Sequence, residues 1–490
     1  MKILALLLPF SLLFAGSIDI EKASLRTSYE NLSISPDEDM GLMGLNYLLE
    51  PNDYFYYGIG LYGAMSGDRG GFFVGGFTAG AKYPIVDNLY LDGGVYVGGG
   101  GGASAGQGGG LMLKTYGGVL YRFDAYSVGI NYSKIKFPNG DIDSDQIALV
   151  ADMRFDTIFV DTPLSAETLK QYHFTSSQDY IVATYQVYFP KSSTLTRDGA
   201  KLNKNINLAG IEYGKNISEH TIAYIESAGA TGGATGYMEV LGGVGYKQNI
   251  IESTNLIAKL SLGGAGGGEV DTGGGTVTKA SLNLNYSPTK KITTGIGAGY
   301  YHAFDGNFDV AFAKVNLGIN ANFLSLGSGG KSVDWNAIES QKIHIRLVNQ
   351  SYLYSDTLST NPNNKDAVQN LGIKLDWFAT ENFYISGQAL GAYEGGAGGY
   401  AVGMFGLGYI QALAYDFSLV GELGIGAAGG GSINSGDGSI VQPMVGLMYD
   451  INDKIALEAM YGRVIALDGK LDTDVIDLSI VYKFNKLVMK

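Results

Sequence analysis

A glycine block recurs three times in this chain, and its spacing limits the folds available. The copies are 93–110 (GGVYVGGGGGASAGQGGG), 263–275 (GGAGGGEVDTGGG) and 424–438 (GIGAAGGGSINSGDG). Each has glycine arms around a short polar tip, between two stretches of alternating apolar sequence. Tyrosines keep the same step: Tyr83, Tyr246 and Tyr409 lie 163 apart (246 − 83 and 409 − 246). Tyr286 and Tyr449 repeat that interval, and Tyr121 precedes Tyr286 by 165 (286 − 121). A period this long is no solenoid turn, so each unit is a small domain or a third of a barrel.

Glycine-rich sequence is disordered when it also lacks apolar and aromatic residues. Here 46% of the chain is hydrophobic and 12% aromatic, so the 74 glycines belong to ordered structure. No cysteine is present, which removes disulfides, thiolate nucleophiles and cysteine metal sites together. The net charge of −14 argues against a nucleic-acid partner, which needs a basic footprint.

The first 17 residues read as an export signal: Lys2, an apolar run 3–14, then Ala15-Gly16-Ser17. That run is shorter than the ~20 residues of a spanning helix, and no later window reaches that length unbroken. An exported chain with abundant alternating strands then points to the closed β-barrel.

Each repeat reads as eight strands of about ten residues, the length a tilted strand needs to cross a bilayer. In the first they fall near 23–33, 41–49, 54–65, 72–83, 89–99, 111–123, 127–137 and 146–155. Ile147, Leu149, Ala151, Met153 and Phe155 give one apolar face, with Asp152 and Arg154 on the other. This period of two is the transmembrane-strand pattern. Connections alternate between short turns (50–53, 124–125, 288–290, 451–453) and long polar or glycine-rich loops. A soluble β-sandwich gives no reason for that asymmetry. Tyr83, Tyr121, Tyr246, Tyr286, Tyr409 and Tyr449 all fall at short-turn ends, where an aromatic girdle is expected.

The expected organisation is a signal at 1–17, repeats at 18–155, 176–324 and 342–490, and linkers at 156–175 and 325–341. Short helices are expected at 165–171 and 334–340. Phe155, Phe323 and Phe484 each close a strand at the end of a repeat. This resembles the terminal signal of bacterial outer-membrane barrels, a strand of alternating apolar residues closing on an aromatic. The whole mature chain is similar to the small eight-stranded OmpA/OmpW-like barrels of that class, here repeated three times. Outer-membrane location, contact with its lipid, and assembly by the barrel-assembly machinery are what the resemblance implies. Six residues, 485–490, follow the last Phe, a departure from the pattern.

Twenty-four strands form three barrels of eight or one wide barrel. Eight strands leave an interior filled by side chains, whereas 16 or more leave an aqueous channel. The inward positions mix rings with glycine, as in Tyr56, Gly58, Gly60 and Tyr62. They also carry both charge signs: Arg26, Lys114, Arg122, Asp152 and Arg154 in the first repeat. The third offers Arg346, Lys374, Glu422, Glu458, Asp477 and Lys483. Buried charges must pair, so mixed signs favour narrow, salt-bridged barrels. Three tandem eight-stranded barrels are therefore expected, with one 24-stranded barrel as the alternative.

The glycine blocks lack G-x-x-x-x-G-K-[ST], so they are not nucleotide cradles. They read as flexible outer loops or, more sharply, as a patch for adhesion or barrel–barrel contact. Asn139-Gly140, Asp305-Gly306 and Asp468-Gly469 read as type I′ hairpin turns. The acids after them (Asp141, Asp143, Asp145; Asp472, Asp474) raise calcium as a weaker alternative. Among four histidines only His302 lies where a lipid hydrolase could use it, and no serine motif accompanies it. No catalytic, cofactor or metal site is assigned. The functional expectation is a structural or surface-interaction protein of unknown partner, with a porin-like channel for small solutes as the alternative.

Overall fold

The computed structural model describes residues 18–35, 38–160, 173–176, 178–326, 333 and 335–489. The expected signal at 1–17 and the expected helix at 165–171 lie outside these residues.

Three eight-stranded antiparallel barrels close separately. The first uses β1 (Ile18–Ser35), β2 (Glu38–Glu50), β3 (Phe55–Ser66), β4 (Phe73–Val86), β5 (Leu89–Gly101), β6 (Leu111–Phe123), β7 (Tyr126–Lys136) and β8 (Asp143–Val160). β1 pairs with β8 from Ile18↔Val160 to Glu30↔Ala148, which closes it. After β9 (Phe174–Ser176), the second barrel runs β10 (Asp179–Phe189), β11 (Ile206–Asn216), β12 (Thr221–Gly232), β13 (Met238–Ile251), β14 (Thr254–Gly266), β15 (Thr276–Tyr286), β16 (Ile292–Ala303) and β17 (Asp309–Asn320). β10 pairs with β17. After β18 (Leu324–Leu326), the third runs β19 (Ile338–Tyr352), β20 (Val368–Phe378), β21 (Phe383–Glu394), β22 (Ala401–Ala412), β23 (Phe417–Gly429), β24 (Ser439–Asp450), β25 (Ile455–Ala466) and β26 (Asp472–Met489). β19 pairs with β26. The single wide barrel is excluded, since the first strand of each set of eight pairs along its length with the last strand of the same set.

Burial follows the two-residue period. On β8, Ile147 and Leu149 face outward at 68% and 61% exposure, while Ala148, Val150 and Asp152 are buried. The outward apolar face is strongest on β7–β8, β14–β17 and β23–β25. On the first three strands of each barrel the outward residues are largely half-buried, as at Leu25, Leu45, Ile59, Ala209 and Ile373.

Two expectations about the seams are corrected. β8 and β26 do not stop at Phe155 and Phe484 but run on to Val160 and Met489. Phe323 lies beyond β17 and bridges to Val488. The run expected to be helical after 334 holds only a 3-10 turn at Trp335–Ala337 before β19 begins. The strand ends continue because their apolar residues have a place to pack. Ile158, Phe174, Leu324, Ile338 and Leu487 form one cluster, with β9 and β18 paired beside it. Trp377 meets Phe323 edge-on at 5.7 Å.

Candidate functional site: ionised interiors and a glycine junction

Each barrel is filled by a hydrogen-bonded ionic network. In the first, Arg26 bridges Asp152 at 2.8 Å and Asp92 at 3.0 Å. Tyr56 donates to Asp92 at 2.9 Å, Lys114 pairs with Glu30, and Lys82 reaches Glu50 at 2.7 Å. In the second, Lys314 joins Glu212 (2.6 Å) and Glu226 (2.7 Å). Lys279 joins Glu226 (2.6 Å) and Glu239 (2.9 Å), and Lys259 pairs with Glu212. In the third, Arg346 holds Asp376 (2.6 Å) and Glu458, and Lys374 holds Glu422 (2.5 Å). Asp477 accepts from Gln350 at 3.1 Å and Ser479 at 2.6 Å.

These charges are tolerated because each has a close opposite partner or, for Asp477, neutral hydrogen-bond donors. A lone buried ion costs several kcal/mol, so an unpaired member would be expelled or neutralised. Beside Arg26 and Lys114 a cavity of about 10 Å³ remains, room for one water. Aromatic rings close the loop ends. In the second barrel, Tyr188, Tyr237, Tyr301 and Phe308 are buried together.

Among the charges named from sequence, Arg26, Lys114, Asp152, Arg346, Lys374, Glu422, Glu458 and Asp477 meet in these networks. Arg122, Arg154 and Lys483 sit at the turn-end rim instead. Arg122 donates to the Tyr90 hydroxyl (2.8 Å), Arg154 to the Asp124 carbonyl (3.2 Å), and Lys483 pairs with Asp450 (2.8 Å). The second barrel's set, Glu212, Glu226, Glu239, Lys259, Lys279 and Lys314, was missed. Its signal was available, since every member sits at an inward position of its strand's two-residue alternation.

The tyrosines named from sequence all point outward at turn ends: Tyr83, Tyr121, Tyr246, Tyr286, Tyr409 and Tyr449 are between 38% and 64% exposed. Several have ring partners, as Tyr83 with Tyr54, Tyr409 with Phe383 and Tyr449 with Phe417.

At the loop ends the glycine blocks follow the sharper of their two readings, barrel–barrel contact. They are not independent loops but the junction of the three barrels. Gly71, at the β3–β4 tip, lies against Gly266 and Gly267 of the second barrel. Gly236, at the β12–β13 tip, lies against Gly430 of the third. Gly399, at the β21–β22 tip, lies against Gly102 of the first. Within each barrel the loop glycine also abuts its own tip: Gly102 on the Gly71 carbonyl, Gly267 on Gly236, Gly430 on Gly399. Six backbone segments thus close a ring. Gly71 and Gly267 have φ of 92° and 93°, a conformation that side chains resist, and a Cβ on either would strike backbone.

Hydrogen bonds repeat around the ring. Gly70 N donates to Gly273 O at 3.0 Å, Thr235 Oγ1 to Gly436 O at 2.5 Å, and Gln107 Nε2 to Gly398 O at 3.0 Å. The expected type I′ turns are absent as well. Neither residue of Asn139-Gly140, Asp305-Gly306 or Asp468-Gly469 has positive φ. These glycines serve close approach: Gly140 packs on the Gly106 carbonyl, Gly306 on Asp271 and Gly469 on Gly436.

Three of the five acidic loop residues are paired with cations. Asp143 meets Lys134 at 2.8 Å and Lys136 at 3.0 Å, Asp145 meets Lys134 at 3.3 Å, and Asp472 meets Arg463. His302 pairs with Asp309 through Nδ1 at 2.5 Å, both side chains being over two-fifths exposed.

Closed antiparallel barrels with apolar exteriors and ionised interiors suit hydrocarbon outside and polar groups within. The molecule has the architecture of a membrane-spanning β-barrel, with outward apolar faces suited to contact with lipid.

No family model and no curated protein matches the chain. Solved structures similar to it include Pseudomonas aeruginosa OpdQ, at 9% identity over 95% of this chain and 98% of that one, with a TM-score of 0.22. Pseudomonas aeruginosa OccK8 (OprE) gives 13% identity over 96% and 100%, TM-score 0.22. A mutant of the Pseudomonas aeruginosa ferric enterobactin receptor PfeA, in complex with enterobactin, gives 10% identity over 96% and 82%, TM-score 0.28.

Proposed function

We propose that this protein is a closed, non-conducting outer-membrane scaffold whose three barrels carry one joined glycine-rich platform at the cell surface. The observation that carries this reading is the filling of each barrel by paired buried charges, with Arg346 at 0% exposure midway along its barrel. A solute would have to break several such pairs to pass, at several kcal/mol each. In this reading the long loops face the medium and the six tyrosines sit at the periplasmic interface as an aromatic girdle. The barrel-assembly machinery is the proposed folding partner, with β26 as the strand it meets.

The test is single-channel conductance of the purified protein in a planar bilayer. Silence, or rare tiny steps, is the expected result. Large stable steps at modest voltage would replace this reading with the porin-like one.

A further inference from the structure

A cavity of about 590 Å³ opens on the outward side of the third barrel, near its loop end. Its wall is formed by Asn349 and Ser351 of β19, Gln369 of β20, Tyr393 and Glu394 of β21, and Asp366. Outward positions on these strands should be apolar if they faced hydrocarbon, as Leu375 and Ile385 do nearer the turn end. Three polar residues at adjoining outward sites, Asn349 and Ser351 on β19 and Gln369 opposite Ser351 on β20, therefore mark a surface kept from lipid tails.

The cavity lies where the third barrel meets the first. The Tyr393 carbonyl and Glu394 backbone lie beside Gly109 of the first barrel. This junction differs from the other two. At those, Thr276 donates to the Met65 carbonyl, and Ser439 donates to the Thr231 carbonyl at 3.0 Å. The corresponding residue here is Leu111, which has no hydroxyl to offer Tyr393.

The wall's hydrogen bonding is half used. Tyr393 Oη donates to Asn349 Oδ1 at 2.8 Å, and Ser351 Oγ to Gln369 Oε1 at 2.5 Å. Each bond holds an amide by its oxygen and turns the NH₂ outward as a pair of donors. Glu394 and Asp366 add acceptors, and among the described residues no Lys or Arg lines the wall. A phosphate or carboxylate finds no cation there, and an acyl chain finds little apolar wall. Adjacent hydroxyls, each both donor and acceptor, match amide donors beside carboxylate acceptors, and the volume suits a small ligand.

We propose that this cavity binds a neutral saccharide at the cell surface. It goes beyond the scaffold reading and does not depend on the barrels being closed, so conductance and sugar binding can fail separately.

The test uses the full-length protein in detergent micelles, wild type and the Asn349→Ala/Gln369→Ala double variant. The probes are an array of soluble neutral oligosaccharides, lipopolysaccharide in phospholipid vesicles, and CaCl₂ alone. Retained heat-modifiability on gels verifies that the variant is folded. The expected result is neutral-sugar binding weakened roughly tenfold or more in the double variant, since two donors are lost. Binding of soluble sugars identifies a free glycan, and binding only on lipopolysaccharide vesicles identifies a membrane glycolipid. No binding in either format overturns the proposal, as does equal binding by the variant. Calcium uptake lost in Asp366→Asn without sugar binding also overturns it.

Discussion

The ammonium of Lys314 lies between the carboxylates of Glu212 and Glu226, at 2.6 and 2.7 Å, with all three side chains at most 2% exposed. Removing the cation leaves the three buried carboxylates Glu212, Glu226 and Glu239 with only Lys259 and Lys279 to balance them. Lys314→Met is expected to destabilise that barrel by about 3–5 kcal/mol. The measurement is the denaturant midpoint of the heat-modifiable form. Lys134→Met removes an exposed pair with Asp143 and should leave the midpoint unchanged. Equal behaviour of the two variants would mean that the buried network contributes no more than an exposed pair.

A Cβ placed on Gly229 would lie 3.5 Å from the Ala427 Cβ, which is within disulfide geometry. The chain has no native cysteine, so Gly229→Cys/Ala427→Cys creates one possible bridge. With a protease site inserted within 327–332, the cut halves should stay joined on a non-reducing gel and separate on reduction. Separation without reductant would show that the second and third barrels do not meet at their loop ends.

Gly430 has φ of 91°, and a Cβ there would fall on the Gly399 carbonyl. Gly430→Ala should cut the rate of that cross-link severalfold while each barrel keeps its fold by circular dichroism. Gly387→Ala is the control, because nothing lies within 4 Å of its Cβ position. A cross-link unaffected by Gly430→Ala would mean that the ring plays no part in holding the barrels together.

The loop end of the first barrel should respond to acid. Arg69 hydrogen-bonds the Glu38 carboxylate at 2.5 and 2.6 Å and holds its pKa below the ordinary value of 4.5. A depressed carboxylate pKa contributes stability that is present above 4.5 and is lost as pH falls through the folded value. The same arginine donates to the carbonyls of Ala103 and Ser104, so it ties the β3–β4 tip to the glycine loop. Hydrogen exchange at 67–71 should therefore quicken below pH 4.5, beyond the intrinsic pH trend. In Glu38→Gln it should be fast already at pH 7. A wild-type profile without that step would remove Glu38 from the tie.

Strand parity made most of this architecture legible. The alternation around Ile147–Phe155 predicts the lipid face, and mixed charges at inward sites such as Arg26 and Asp152 predict narrow, paired interiors. The glycine blocks were harder, because local sequence reports flexibility but not what lies opposite. Gly71 and Gly267 are 196 residues apart (267 − 71), and only the closed ring explains why neither can carry a side chain. The same reason turned Asn139-Gly140 from a hairpin signal into a close-approach site. The cavity by Asn349 was invisible for another reason. Polar residues at outward sites near a strand end read as ordinary loop-proximal sequence until the adjoining barrel is in place.

The contact that passes from the first barrel to the second, from the second to the third, and from the third back to the first is head-to-tail and closes after three steps. In a homotrimer such a contact forms only as protein concentration allows. Here the linkers hold the barrels at an effective concentration set by chain length, so the assembly is indifferent to dilution. One polypeptide also frees the three positions from sharing a sequence. Leu111 can stand where the sister junctions have Thr276 and Ser439, and a single wedge of the trefoil can specialise while the other two keep the ring shut.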